Sequence, residues 1–385
     1  MNKTPYYVFD ADALSARIER VRRALDGMPL TFSLKANAFL LETAVSRLDF
    51  IEVCSPGETA VCRRMGISPD RIIFSGVVKG KEDIQEALDY GAGILTAESR
   101  GQAELISEAA EKTGRKARAL MRLSSGNQFG MDAADIREIL DHRDRFPGVR
   151  WLGYHYYSGT QKKKPEGVRR DLEHLGGVID RMEKETGFTP EWTEYGPGLA
   201  ADYFGPDPEK TDMELLDAAA KEIRGFGRPL KIEMGRFLAA PCGSYHTRVK
   251  DLKTVSGVRY ALLDGGIHHL QYYGQMMAMN VPPLRQEPVR EGEAADYCLC
   301  GSLCTTADVL VRKAKLFPLR IGDELVFGRC GAYSVTEAPV LFLSRDFPEI
   351  RLKRGGEETV LRSAFSSWPL NMPEACAPAR GKEGV

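Results

Sequence analysis

Residues 30–37 read LTFSLKAN, a short apolar run that ends on a lysine, and seven more runs of the same kind follow it along the chain. They are DFIEVC (49–54), RIIFSG (71–76), AGILTA (92–97), ARALMRLS (117–124), VRWLGYHYY (149–157), EWTEYG (191–196) and LKIEMG (230–235). Between them lie amphipathic segments such as PGETAVCRRMG, KEDIQEALDYG and SRGQAELISEAAEKTG, where apolar residues recur three and four positions apart and a glycine closes the helix. Eight strands, each followed by a helix, close naturally into a parallel (β/α)8 barrel with its chemistry at the C-terminal ends of the strands. The expected architecture is therefore α/β, a TIM-like barrel over residues 29–240, preceded by a strand and helix in residues 1–28.

After about residue 240 the period changes. Extended runs such as TRVKDLKTV, RYALLDGG, DELVFGRCG and PVLFLS, broken by Gly and Asp turns, predict a mostly-β domain over 241–368, with which the opening strand YYVFD could pair. The polar, Pro-rich tail 369–385 reads as flexible. A chain of 385 residues suits a barrel plus a smaller domain. Its 53 Lys and Arg balance 54 Asp and Glu, so no net field gathers nucleic acid or an anionic membrane, and a small-molecule enzyme fits better. No apolar run approaches the ~18 residues of a membrane span, and MNKTPYYVFD lacks the apolar stretch of a signal peptide, which points to the cytoplasm. Eight cysteines without a CxxC pair, in a chain that needs no staples, read as reduced thiols. Cys298, Cys300 and Cys304 match no common zinc spacing, so no metal is expected.

Several strand ends carry candidate chemistry. Lys35 would emerge in the barrel mouth, where burial lowers an amine's pKa and makes it nucleophilic towards an aldehyde, although a salt-bridged rim lysine reads the same way. In EYGPGLA (194–200), Gly196 and Gly198 stand where barrels bind phosphate through backbone amides, or simply form a turn. KIEMGRF (231–237) sets Glu233 three residues before Arg236, with Gly235 between them. HYYSGTQ (155–161) supplies His155 and Tyr157 as faces for a flat ring and Thr160 as a hydroxyl donor, though a core His and Tyr pair is equally ordinary. CGSLCTTADVL (300–310) and GAYS (331–334) mean nothing singly.

Taken in order, SLKAN, HYYSGTQ, EYGPG, EMGRF, CGSLCTTAD and GAYS resemble the fold type III pyridoxal-phosphate decarboxylases, the diaminopimelate and ornithine decarboxylase group, from about Tyr6 to Phe347. The resemblance implies that Lys35 holds pyridoxal 5′-phosphate as a Schiff base and that Glu233 pairs with the pyridine nitrogen, making the ring a better electron sink. It puts Gly196, Gly198, Thr160 and Tyr333 at the phosphate and Arg236 close to cofactor and substrate. Cys304 matches a cysteine that family members supply from the partner subunit, which implies a head-to-tail homodimer with shared sites, and it is the candidate proton donor. The register set by Gly159 and Gln161 favours Tyr157 as the stacking ring, with His155 as its neighbour.

Departures from the family pattern bear on the substrate. Where the family has an acid after the cysteine to grip a distal ammonium, this chain has Thr305, although Asp308 keeps the second acid. The arginine after the family's DAG turn is missing, and LDGGIHHLQYYGQ (263–275) stands there, wording similar to a siderophore and secondary-metabolism subgroup that acts on modified or carrier-linked amino acids. The expected substrate is an amino acid whose distal end is neutral, acidic or conjugated, with His268, His269 and Arg236 near it. A racemase of the same fold is the nearest rival, since RLSSGNQFGMD (122–132) resembles alanine racemases, but those pair the pyridine nitrogen with arginine where this chain has Glu233. A pyridoxal-phosphate-binding homologue without activity is the third reading.

Overall fold

The computed structural model describes residues 3–373. The opening strand β1 (Tyr6–Asp10) leads into helix α1 (Ala11–Ala24), and eight strands then alternate with helices. The strands are β2 (Leu30–Ser33), β3 (Phe50–Val53), β4 (Ile72–Phe74), β5 (Ile94–Ala97), β6 (Ala117–Leu123), β7 (Val149–Tyr157), β8 (Trp192–Gly196) and β9 (Leu230–Met234). Each neighbouring pair is parallel, and β2 also pairs with β9, so the barrel closes. The eight expected runs are its eight strands.

Helices α2 (Leu41–Val45), α3 (Pro56–Arg64), α4 (Lys81–Tyr90), α5 (Arg100–Thr113), α6 (Ala133–Asp141), α7 (Pro165–Thr186) and α8 (Pro208–Arg224) join the strands. Their ends are set locally. The Ser55 hydroxyl accepts from the Glu58 N–H at 3.2 Å with Pro56 in the first turn, Ser99 caps α5 through Gln102, and Gly114 at φ 67° stops α5. Inside the barrel, Ile73, Ile94, Leu120 and Leu152 form an apolar plug, with Phe50 and Trp192 packed against it. Beyond it the inward positions turn polar, with Ser33, Glu52, Arg122, His155, Glu194 and Glu233.

The chain divides into two compact units. The barrel unit comprises Leu14–Asp202 and Glu209–Leu238; the other takes the chain's start up to Ala13, Tyr203–Pro208 and the chain from Ala239 onward. Helix α1 thus belongs almost wholly to the barrel unit, because its Arg17 is buried there: the guanidinium lies 4.2 Å from the Phe237 ring centre and pairs with Asp212 at 2.7 Å. The second unit is mostly β, built on β10 (Gly243–Val255), β11 (Val258–Leu263), β12 (Leu284–Glu287), β13 (Ala295–Cys300), β14 (Val309–Leu316), β15 (Glu324–Gly328), β16 (Glu349–Arg354) and β17 (Glu357–Arg362). Strand β1 lies in this sheet between β10, antiparallel, and β16, parallel. Of the tail read as flexible from Pro369, the first residues complete a 3-10 turn, Trp368–Asn371, and residues 374–385 lie outside the described residues. Among the described residues no helix is long and apolar enough to cross a membrane.

Candidate active site

Strand β2 ends at Ser33, and a 3-10 turn, Leu34–Ala36, carries Lys35 into the barrel mouth. Because β2 lies between β3 and β9, with Ser33 opposite Glu52 and Thr31 opposite Glu233, the lysine meets a carboxylate from either side. Its Nζ stands 2.9 Å from Glu52 Oε2 and 3.9 Å from Glu233 Oε1, with Cys54 Sγ at 3.4 Å. Glu233 is 8 % exposed and accepts from Ser33 Oγ at 2.6 Å, while His155 Nε2 lies 3.1 Å from its other oxygen. Burial alone would raise this carboxyl's pKa; Lys35, then His155 and Ser33, override it and hold the group well below the usual carboxylate range.

Glu194 is the opposite case. It is fully buried, and burial together with the charges of Glu233 and Glu52 pushes its pKa well up against the pull of the Thr31 hydroxyl and so favours its neutral form.

His155 and Tyr157 alternate along β7 and share a face. His155 is 2 % exposed, and its Nδ1 has no partner. The Tyr157 ring packs on Gly196, where an added Cβ would fall 2.7 Å from its Cδ2. Burial raises the Tyr157 phenol, partly offset by the Thr160 hydroxyl beside it, and Glu233, Lys35 and Arg236 all act on it. Gly198 holds φ 60°, and an added Cβ would stand 1.9 Å from the Gly159 carbonyl oxygen. Gly235 lets the end of β9 approach the Lys35 turn, since a Cβ there would meet Ala36 and Ser33 Cβ at 3.0 Å.

Lys35, His155, Tyr157, Thr160, Gly196, Gly198, Glu233, Gly235 and Arg236 thus all belong to the barrel unit, whereas Cys304, Thr305, Asp308, His268, His269 and Tyr333 belong to the β unit. There Cys304 and Thr305 are exposed, and Tyr333 is half-buried at φ 66°, a costly conformation for a bulky residue. Asp308 and His269 are engaged within the β unit. Asp308 is 2 % exposed, with Oδ1 accepting from Ile267 N–H at 2.8 Å and Oδ2 from Leu303 N–H at 2.7 Å, so it bridges two loops. His269 likewise has both ring nitrogens engaged, with the Tyr245 hydroxyl at 3.0 Å and the Asp346 carbonyl at 2.9 Å. His268 has neither nitrogen paired; burial, then Arg345, lowers its pKa to about 4, and it lines a cavity of about 380 Å³ within the β unit.

Three groups at the mouth escape a strand-by-strand reading. Glu52 and Cys54 sit in DFIEVC, where an acid inside a buried strand was the available signal. Glu98 and Arg122 form a buried pair, and Glu98 Oε2 also accepts from Gly130 N–H at 2.9 Å. Lys79 is buried with its Nζ on the Gly76 carbonyl, and burial lowers its pKa to about 8.

Comparison with known proteins agrees with this geometry. Residues 11–240 match the family described as pyridoxal-dependent decarboxylase, pyridoxal binding domain. The chain is 28 % identical to the L-glutamyl-[BtrI acyl-carrier protein] decarboxylase of Niallia circulans, covering 94 % of this chain and 91 % of that protein. It is 27 % identical to the diaminopimelate decarboxylase of Zymomonas mobilis, covering 94 % and 90 %. The solved diaminopimelate decarboxylase of Helicobacter pylori, complexed with L-lysine, superposes with a TM-score of 0.85 over 96 % of this chain and 97 % of that one, at 22 % identity. With a lysine between two carboxylates in the mouth of a closed barrel and this match over more than half its length, the chain belongs to the pyridoxal-dependent decarboxylases, enzymes that use pyridoxal 5′-phosphate to remove a carboxyl group from an amino acid.

Proposed function

We propose that the barrel mouth binds pyridoxal 5′-phosphate through Lys35 and that the enzyme decarboxylates an amino acid with a non-cationic or conjugated distal end. The observation that carries the cofactor assignment is the buried Glu233 carboxylate, held ionised by Lys35 and His155. The mouth residues fit the cofactor in three respects. Glu233 offers an anion to a protonated pyridine nitrogen, His155 Nδ1 is buried without a partner, and Gly198 holds a turn in which an added Cβ would strike the Gly159 carbonyl oxygen. The N–H groups of Thr160 and Gly198 have no acceptor among the described residues and suit a phosphate.

When bound, the cofactor's protonated ring accepts the electron pair left by departing carbon dioxide. The chain's own groups do the rest. Lys35 is the nucleophile when its Nζ is unprotonated, with Glu52 at 2.9 Å orienting the amine, and it can shuttle protons once displaced by substrate. Glu233 would face the ring nitrogen, Tyr157 or His155 would stack on the ring, Thr160, Gly196 and Gly198 would hold the phosphate, and Arg236 would lie near cofactor and substrate; Tyr333 stands where the family pattern has a further phosphate ligand. Cys304, contributed by a second copy in a head-to-tail dimer, delivers a proton from Sγ to the substrate carbon.

Thr305 in place of an acid removes the charge-assisted bond to a distal ammonium, which argues against simple diaminopimelate. The relative from Niallia circulans, whose name specifies a glutamyl group on an acyl-carrier protein, supports a conjugated substrate. The seven described cysteines are free thiols, in keeping with a cytoplasmic enzyme. The test is the visible spectrum with added pyridoxal 5′-phosphate, wild type beside Lys35→Ala, followed by carbon dioxide release from a panel of free and carrier-linked amino acids. A band that requires Lys35, with fastest release from a conjugated glutamyl substrate, is expected. Faster turnover of meso-diaminopimelate than of any conjugate would overturn the substrate reading, and no band would overturn the cofactor reading.

A further inference from the structure

Two glycine turns face each other at the mouth, one after β7 around Gly159 and one after β8 around Gly198, and the glycines themselves have no side chains to hold them in place. The chain stitches the turns together beneath the mouth. Lys162 N–H donates to the Gly198 carbonyl at 2.9 Å and Ala200 N–H to the Lys162 carbonyl at 3.0 Å, while the Gln161 amide bonds both the N–H and the carbonyl of Ala201. At the centre, Lys162 Nζ stands 2.7 Å from Asp171 Oδ2, 3.1 Å from the Pro197 carbonyl oxygen and 3.4 Å from that of Gly159. Asp171, from the second turn of α7, also accepts from Ser158 Oγ at 2.7 Å and from the Tyr195 hydroxyl at 3.0 Å. Both members of the pair are largely buried, with 15 % and 10 % of their side chains exposed.

In a trans peptide the C=O of one residue and the N–H of the next point in opposite directions. An ammonium that draws the carbonyls of Gly159 and Pro197 towards itself therefore turns the N–H groups of Thr160 and Gly198 away from it. These are the two donors without an acceptor among the described residues. We propose that the Lys162–Asp171 ion pair is the positioning device of the phosphate cradle, fixing both glycine turns so that their amides converge on one anion. The proposal rests on the reading of the barrel mouth as the cofactor site, and neither residue touches the cofactor in it.

The test compares two ligands that differ only in the phosphate. Full-length apoenzyme is titrated with pyridoxal 5′-phosphate and with pyridoxal, followed by absorbance, for wild type, Lys162→Met, Lys162→Arg and Asp171→Asn, with thermal melts of each. Lys162→Met and Asp171→Asn are expected to raise the Kd for pyridoxal 5′-phosphate at least tenfold and to leave that for pyridoxal within about twofold. Lys162→Arg, which can keep the ion pair and one carbonyl, should restore most of the affinity. Should Lys162→Met fail to fold, Asp171→Asn carries the test, since its amide oxygen still accepts from one of the two hydroxyls, Ser158 or Tyr195, and its NH2 can donate to the other. Unchanged affinity for the phosphorylated ligand in the folded variants, or parallel loss of both ligands, overturns the proposal. A wild type that binds the two equally instead removes the phosphate site itself.

Discussion

Replacing Asp308 separates a brace from a substrate ligand. Its two carboxylate oxygens hold the N–H groups of Ile267 and Leu303, and its own backbone carbonyl accepts from Gly301 N–H at 3.0 Å, so it ties the loop after β11 to the loop after β13. The fit is close: a Cβ added to Gly301 would lie 2.3 Å from both carboxylate oxygens. A buried donor left without an acceptor costs about 1–3 kcal/mol. The Leu303 bond is buried and the Ile267 bond only partly so, which puts Asp308→Ala at about 2–4 kcal/mol and Asp308→Asn, which keeps one acceptor and faces the other N–H with a donor, at about half that. At roughly 2–4 °C per kcal/mol, the alanine variant should melt about 5–15 °C below wild type. The assay is urea and thermal unfolding of both variants beside steady-state decarboxylation. An unchanged melting temperature with a KM raised tenfold or more would refute the brace and return Asp308 to the substrate.

Three further substitutions probe the barrel. Gly198→Ala must open the contact with the Gly159 carbonyl by at least about 1 Å, which breaks hydrogen bonds made at both turns, so affinity for pyridoxal 5′-phosphate should fall more than tenfold in a direct titration. Glu194→Gln should leave the melting temperature and the cofactor spectrum close to wild type, since burial and the charges of Glu233 and Glu52 favour a neutral carboxyl there; a loss of several degrees would show that Glu194 is ionised. Lys79 has a folded pKa of about 8 against an unfolded 10.5, so the unfolded chain binds the extra proton between those values and stability should rise with pH across that window, by about 3 kcal/mol in all. Lys79→Met should therefore gain over wild type most below pH 8, and this advantage should shrink towards pH 10.5 in urea unfolding.

The barrel was legible in the chain because its signals are short-range. Strand runs, helical spacing, the serine caps at Ser55 and Ser99 and the stop at Gly114 each involve residues within a few positions of one another, so LTFSLKAN and its seven successors mark the strands without any knowledge of their packing. Lys35 and Glu233 were legible as candidates for the same reason, each standing at or just past the end of a recognisable run. What the sequence could not supply is which groups they meet. Glu52 becomes the partner of Lys35 only because closure sets β2 between β3 and β9, and the hub at Lys162 forms only once the turns after β7 and β8 are laid side by side. Glu194, pushed up, and Glu233, held down, are the same residue type in adjacent strands of one barrel. The opposite shifts come from burial with the nearby charges of Glu233 and Glu52 in one case and from Lys35, His155 and Ser33 in the other, and those are contacts that local pattern does not encode. The chain thus marked by itself where its eight barrel strands lie, to within a few residues, because propensity and capping act over a turn or two, whereas PVLFLS, read as extended, holds a 3-10 turn at Phe342–Ser344. Only the tertiary structure decided which charges are shared, which way burial and neighbours push each carboxyl, and what Asp308 and His269 touch, because those depend on dielectric and distance between residues remote in sequence.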